Sequence, residues 1–227
     1  MPKIALVTGA TKGLGLAFAK HLSCKGYVPV LHYNKDLPAA KRAATLFPHT
    51  MIVQGDLTKK KNCEKVIKTV ITKYNRIDLL INNIGSFVFE PVDKWSEKEF
   101  RNVIESNLHS TFFMMQSALK VMKEGYIVNI GCAGCERIVV RENTTPYYIA
   151  KSGVAALTKH FSTLHKKIKV NALLPGVLET SKFVPKDVKK KQIVPLREMC
   201  DALDVILKSG KTGQFIEVSR GWKPKQI

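Results

Sequence analysis

The sequence predicts an α/β fold, with one doubly wound parallel sheet of about seven strands and helices on both faces, as a single domain over residues 1–227. Short apolar runs that suit buried strands alternate along the chain with longer segments of helical periodicity, and this alternation is typical of parallel sheets. The 227 residues suffice for one full core, and 45% hydrophobic against 24% charged residues indicates a globular protein.

The first strand and the first helix flank a glycine-rich turn. Ile4–Val7 is a short apolar run, Gly9, Gly13 and Gly15 follow it, and Leu16 begins a helical pattern. Backbone N–H groups and the positive end of a helix dipole meet at such a turn, and glycine lets the backbone approach a pyrophosphate closely. The strand–turn–helix context therefore predicts a nucleotide site, the alternative being an ordinary tight turn.

The charge balance is strongly basic, with 37 Lys+Arg against 18 Asp+Glu and a net charge of +19. Such a balance favours anionic partners. The lysines are scattered and aromatic residues do not interleave with them, so a solvated lysine-rich surface is expected and nucleic-acid binding is not.

Neither a membrane span nor a disulfide framework is expected. No apolar run approaches membrane-spanning length, and the N-terminus passes directly into a strand, which predicts no signal peptide and a cytoplasmic location. The five cysteines are an odd number and fit reduced thiols. Cys132 and Cys135 form a C-x-x-C motif, but no second pair accompanies it, so no metal site is expected.

Six motifs, in the expected order, resemble those of the short-chain dehydrogenase/reductase family, and the branch most similar is that of the 3-oxoacyl-(acyl-carrier-protein) reductases. The resemblance covers essentially the whole chain and implies a Rossmann-type fold. The motifs are Thr8-Gly9-x-x-x-Gly13-x-Gly15, Asp56, Asn82-Asn83-Ile84-Gly85, Asn107, Tyr147-x-x-x-Lys151 and Pro175-Gly176-x-x-x-Thr180.

The resemblance implies that a nicotinamide dinucleotide is bound by the glycine turn and by the ends of several strands. It assigns Asp56 to the adenine amino group, although this residue also suits a simple turn or helix cap. The implied cofactor residues are Gly9, Thr11, Lys12, Gly13, Leu14, Gly15, Asn34, Lys35, Asp56, Leu57, Asn83, Ile84, Gly85, Tyr147, Lys151, Pro175, Gly176, Leu178 and Thr180.

The end of the second predicted strand, 28–33, favours NADPH. NAD-dependent relatives carry an acidic residue there, whereas this chain has Tyr33 followed by Asn34 and Lys35, and Asp36 comes too late. A lysine attracts a 2′-phosphate that a carboxylate would repel, and Lys12 in the glycine turn could reach the same group.

Tyr147 and Lys151 are the central catalytic candidates. One helical turn separates them, so both side chains share a face. A ketone that accepts hydride develops an oxyanion, to which Tyr147 would give a proton, while the Lys151 ammonium would favour the phenolate. The resemblance adds Asn107, on a helix predicted over roughly 97–123, whose main-chain carbonyl would hold a water on the proton relay.

Cys132 occupies the position at which the family carries its catalytic serine. A thiol is a weaker hydrogen-bond donor than a hydroxyl. Cys132 could polarise the carbonyl weakly, Thr144 or Thr145 could replace it, Tyr147 could act alone, or Cys132 could be a small buried residue that only packs.

The sequence thus predicts an NADPH-dependent carbonyl reductase whose substrate is a 3-oxoacyl thioester on acyl carrier protein, an acidic partner that a +19 surface could attract. The His32–Lys35 stretch and the missing serine suggest a pteridine reductase instead. A third alternative is a weakly catalytic or non-catalytic dinucleotide-binding protein with an acidic macromolecular partner. A mobile lid is expected over about 181–196, and apolar helices beginning near 97 and 147 predict a homo-oligomer, a tetramer or a dimer.

Overall fold

The structure is a computed structural model that describes residues 2–137, 139, 143–181, 183–184 and 188–224. In these residues, seven parallel strands form one sheet in the order β3-β2-β1-β4-β5-β6-β7, which confirms the predicted fold class. The strands are β1 (Lys3–Val7), β2 (Tyr27–Tyr33), β3 (Met51–Gln54), β4 (Leu79–Asn82), β5 (Gly125–Ile130), β6 (Ile168–Pro175) and β7 (Phe215–Val218).

Helices cover both faces of the sheet, so strands such as β1 are apolar after their first residue and buried on both sides. Helices α1 and α7 pack on one face through residues such as Phe18 and Leu203, and α3 and α5 pack on the other through residues such as Val66 and Met114. The helices are α1 (Gly13–Cys24), α2 (Leu37–Ala44), α3 (Lys60–Tyr74), α4 (Glu97–Ile104), α5 (Ser110–Leu119), α6 (Thr145–Phe161) and α7 (Leu196–Ser209).

The strand order reverses between β1 and β4, which places a crevice at the carboxyl ends of the central strands. Asn83, just after β4, braces this point: its backbone N–H donates to Thr8 Oγ1 at 2.8 Å and its Nδ2 donates to the Thr8 carbonyl at 2.9 Å. The loops after β1 and β4 therefore hold each other in position beside the crevice.

The prediction of a single helix over 97–123 is wrong. A π-helical turn at Glu105–His109 separates α4 from α5, and α5 ends at Leu119. Side chains compete here with the backbone ladder: Thr111 Oγ1 donates to the Asn107 carbonyl at 2.7 Å, and Asn107 Nδ2 donates to the Val103 carbonyl at 2.9 Å. Wide turns of this kind often mark functional sites.

None of the helices in the described ranges has both the length and the hydropathy needed to cross a membrane.

Candidate active site

The glycine turn after β1 forms one wall of the crevice. Gly13, the first residue of α1, has φ +55°, and a Cβ on Gly15 would lie 2.5 Å from the Gly9 carbonyl oxygen, so neither position accepts a side chain without distortion. In the part of the chain that the structure describes, no side chain caps the first turn of α1, and that turn carries no acidic residue. Its N–H groups therefore remain suited to an anion.

The segment after β6 lies opposite that turn. A Cβ on Gly13 would be 3.7 Å from Thr180 Oγ1, so Thr180 faces the start of α1. The Gly176 N–H donates to the Val218 carbonyl at 3.0 Å, and Leu178 forms a bridge with Val194. The predicted Pro175–Thr180 segment is thus held at Gly176 and at Leu178.

Three residues that the sequence assigned to the cofactor are exposed: Lys12, Asn34 and Lys35. The nearby carboxylate of Asp36 is engaged elsewhere, because it accepts a hydrogen bond from the Ala39 N–H at 2.8 Å and caps α2. The charge that would oppose a 2′-phosphate is therefore held at the start of a helix.

Asp56 stabilises a turn, which was the alternative to its implied contact with the adenine amino group. Its Oδ1 accepts hydrogen bonds from the Thr58 N–H at 3.1 Å and from Thr58 Oγ1 at 2.8 Å. The side chain of the neighbouring Leu57 is only 2% exposed and belongs to the core, so any cofactor contact of Leu57 would come from its backbone.

His32 is a structural residue, whereas its place in the 32–35 stretch suggested a pteridine reductase. Its Nδ1 accepts from the Gly9 N–H at 3.2 Å and its Nε2 lies 2.9 Å from the Gly55 carbonyl. Burial lowers the pKa of His32 to about 4, which keeps the ring neutral, as one accepting and one donating nitrogen require. His32 ties the glycine turn to the loop after β3.

All four catalytic candidates line one cavity of about 600 Å³: Tyr147, Lys151, Cys132 and Asn107. Several other residues that line this cavity were predicted from the sequence as site residues, and several aromatic lining residues were missed. The predicted ones are Leu14, Asn83, Gly85, Thr144, Pro175, Gly176 and Leu178, and the missed aromatic ones are Phe87, Phe89, Tyr148 and Phe183.

Tyr147 and Lys151 lie close together, with the Lys151 Nζ 5.6 Å from the centroid of the Tyr147 ring. That Nζ donates to the Ile130 carbonyl at 2.7 Å. Burial raises the pKa of the Tyr147 hydroxyl well above its usual value, with the nearby thiols adding to the rise, and lowers that of Lys151 to about 8. Desolvation therefore dominates the pKa of both groups, and the effect of Lys151 on the phenolate stays a prediction.

Asn107 lies fully buried in the π-helical turn, where its Nδ2 also donates to the Ser86 carbonyl at 2.9 Å. Among the described residues its Oδ1 has no hydrogen-bond partner. A Cβ on Gly85 would sit 2.0 Å from that Oδ1. Gly85 therefore makes room for Asn107, a structural reason for this glycine beside its implied place among the cofactor residues.

Cys132 is half-buried at the cavity wall, and its thiol hydrogen-bonds with that of Cys135. Of the two threonines considered as substitutes, Thr144 lines the cavity and Thr145 is the first residue of α6. Cys132 thus lies where a group facing the substrate should be, with Thr144 as a second polar group.

Three phenylalanines form the mouth of the cavity. The Phe87 ring meets the Tyr147 ring edge-on, with centroids 5.0 Å apart, and Phe89 stacks on Phe183 at 4.1 Å. Phe87 is 45% exposed and Phe89 37% exposed, so apolar surface faces the entrance. The segment Phe87-Val88-Phe89, with its two aromatic residues after Gly85, is the sequence feature from which these aromatic lining residues could have been predicted.

The family model described as short chain dehydrogenase matches residues 3–191. A galactitol 2-dehydrogenase from Agrobacterium fabrum (strain C58 / ATCC 33970) is 30% identical over 78% of this chain and 71% of its own length. A hydroxynaphthalene reductase-like protein, Arp2, from Metarhizium guizhouense (strain ARSEF 977) is 27% identical over 80% and 70%. The crystal structure of a blue fluorescent protein from a metagenomic library, in complex with NADPH, has the same fold, with a TM-score of 0.85, 22% identity and 98% of each chain covered.

The chain belongs to the short chain dehydrogenase family of oxidoreductases. Its relatives act in different reactions, as their names show, and the predicted link to the 3-oxoacyl-(acyl-carrier-protein) reductase branch has no specific support among them.

Proposed function

We propose that this protein is an NADPH-dependent carbonyl reductase. The observation that carries the proposal is the convergence of Tyr147, Lys151 and Cys132 on one cavity that adjoins the glycine turn. A proton donor, a buried cation and a second polar group beside a dinucleotide crevice are the parts that ketone reduction requires.

The crevice fits the proposed cofactor. The uncapped N-terminus of α1 suits the pyrophosphate, Thr180 faces that helix end, and Lys12 and Lys35 supply positive charge for a 2′-phosphate while Asp36 is engaged in a cap. When bound, NADPH supplies a hydride to the carbonyl carbon of the substrate. The similar metagenomic structure is itself a complex with NADPH, which supports the choice.

The protein's part in the reaction is to hold the carbonyl oxygen and to protonate it. The raised pKa of Tyr147 keeps its hydroxyl protonated at neutral pH, and an alkoxide is basic enough to take that proton. Lys151, when charged, stabilises the negative charge left on the tyrosine oxygen, and the Cys132 thiol or the Thr144 hydroxyl donates a second hydrogen bond.

For the substrate we propose a 3-oxoacyl thioester on acyl carrier protein. The net charge of +19 would attract this acidic partner, and the apolar mouth formed by Phe87, Phe89 and Phe183 suits an acyl chain. The stacked pair Phe89–Phe183 equally favours a flat aromatic ketone, the second candidate, and one relative carries the name hydroxynaphthalene reductase-like protein.

A screen of NADPH oxidation separates these candidates. The substrates are acetoacetyl thioesters free and on acyl carrier protein, a bicyclic aromatic ketone and a dihydropteridine, and the Tyr147→Phe variant serves as the inactive control. We expect the carrier-bound thioester to give the highest kcat/KM and to lose its advantage at high salt. A higher kcat/KM for the aromatic ketone contradicts the thioester proposal, and a higher one for the dihydropteridine indicates the pteridine reductase.

Tight NADPH binding without turnover of any substrate contradicts the reductase proposal as a whole. It favours the third alternative, a dinucleotide-binding protein with an acidic macromolecular partner.

We also propose a cytoplasmic, single-domain subunit that forms a dimer or a tetramer. Phe100 on α4 is 42% exposed and Ile149 on α6 is 48% exposed, and these helices contact each other within the chain. Pairing of two such faces would bury this apolar surface. Light scattering at micromolar concentration tests the assembly, and a monomeric mass contradicts it.

A further inference from the structure

The C-x-x-C motif at 132–135 lies at the cavity, and its second cysteine has no part in the proposed reaction. A tight turn joins the two residues: the Cys135 N–H donates to the Cys132 carbonyl at 3.0 Å. Gly134, the third residue of this turn, has φ +77°, which is the conformation that a type II turn requires at that position.

This turn brings the two thiols together. The α-carbons at the ends of a β-turn lie less than about 7 Å apart, which overlaps the range of roughly 4.4–6.8 Å found in disulfides. The thiols already hydrogen-bond with each other, and a Cβ on Gly131 would lie 2.9 Å from Cys135 Sγ, so the second thiol is folded back toward the start of the turn. The turn geometry is thus compatible with a disulfide between the two residues.

We propose that Cys132 and Cys135 are an oxidative modification site, at which hydrogen peroxide converts the two thiols into a reversible disulfide. The modification itself is independent of the proposed function, and only its effect on turnover rests on that function.

The two cysteines have different parts in this reaction. Cys132 is half-buried and lines the cavity, so a small peroxide can reach it, whereas Cys135 is 2% exposed. The hydrogen bond from Cys132 and the positive charge of Lys151 lower the pKa of the Cys135 thiol, although burial opposes this. Because the turn holds Cys135 beside Cys132, Cys135 is placed to be the resolving thiol that attacks the oxidised Cys132.

Hydrogen peroxide oxidises the pair in two steps. The Cys132 thiolate attacks one peroxide oxygen, an S–O bond forms, the O–O bond breaks, and water leaves after protonation. The Cys135 thiolate then attacks Cys132 Sγ, the S–S bond forms, the S–O bond breaks, and a second water leaves. Two thiols lose two electrons and two hydrogens, and one peroxide becomes two waters; a dithiol reductant reverses the change.

The other cysteines provide internal controls. Burial raises the pKa of both Cys63 and Cys200 to about 12, so these thiols are expected to be inert. Cys24 is exposed and lies on α1, away from the pair. Cys24→Ser therefore removes the accessible single thiol without touching the cavity.

The test uses the full-length protein, treated with hydrogen peroxide, alkylated, digested with trypsin and measured by mass spectrometry. Cleavage after Lys123 and Arg137 gives one peptide, 124–137, that holds both cysteines and no others. We expect this peptide to lack two hydrogens and to resist alkylation after peroxide, and to become alkylatable again after dithiothreitol. The Cys24→Ser protein should behave identically.

In the Cys135→Ala and Cys135→Ser variants, peroxide should leave Cys132 as a sulfenic acid that dimedone traps. Cys135 packs in a cluster with the small residues Ala155 and Ala172, so the alanine variant is expected to fold. A peptide that remains fully alkylatable while Cys24 is oxidised overturns the proposal. A reversible disulfide with unchanged turnover supports the modification site and excludes Cys132 as a donor in catalysis. A disulfide in a protein that reduces none of the screened substrates counts against the proposed function alone.

Discussion

Replacement of Cys132 by serine tests whether this position takes part in catalysis. The side chain lines the cavity beside Tyr147 and Lys151, and a hydroxyl of nearly the same volume is a stronger donor than a thiol. One good donor to a developing oxyanion contributes about 2.7–4 kcal/mol. Because the thiol already supplies part of this, we expect Cys132→Ser to raise kcat roughly tenfold, which corresponds to about 1.4 kcal/mol.

The assay is steady-state kinetics with NADPH and the best substrate from the screen, run beside thermal melts. Cys132→Ala should lower kcat, because it removes the donor, and Tyr147→Phe should abolish turnover. Cys24→Ser, on the exposed part of α1, is the matched control and should leave kcat unchanged.

The result that refutes this reasoning is an unchanged kcat in both Cys132 variants while Tyr147→Phe is inactive. Thr144, which lines the same cavity, or Tyr147 alone would then hold the oxyanion. A serine variant that gains no activity and melts at a lower temperature indicates that Cys132 only packs, because a poorly paired hydroxyl then replaces an apolar thiol.

Three further predictions concern the cofactor, the pH profile and the packing of the site. Lys35→Asp should shift binding from NADPH toward NADH, measured by titration against the exposed control Lys20→Asp, and equal affinity of the wild type for both cofactors contradicts it. The pKa of Lys151, about 8, predicts that kcat/KM falls as pH rises through that value, because a lysine is charged only below its pKa; a flat profile to higher pH argues against an essential ammonium. Gly85→Ala places a methyl group 2.0 Å from Asn107 Oδ1 and should lower the free energy of unfolding by about 1–3 kcal/mol in urea titrations, together with activity. An unchanged urea midpoint means that Asn107 moves freely.

The sequence by itself determined the fold class and the chemistry-bearing positions, because both depend on local patterns. Apolar runs such as Ile4–Val7 are continuous since the strands are buried on both faces. Gly9–Gly15 and the pair Tyr147 and Lys151 carry their signal in spacing, since a turn and a helix each fix the relative positions of nearby residues. The cavity accordingly contains all four predicted catalytic candidates.

The tertiary structure alone decided the features that depend on contacts between distant segments. The side chain of Asn107, in the π-helical turn, donates to the loop after β4, 21 residues away, and this contact is not visible in the sequence. His32 is structural because β1 and β3 both lie next to β2. Phe89 meets Phe183 only across the cavity mouth. Burial shifts the pKa values of Tyr147 and Lys151, and spacing along a helix does not reveal burial.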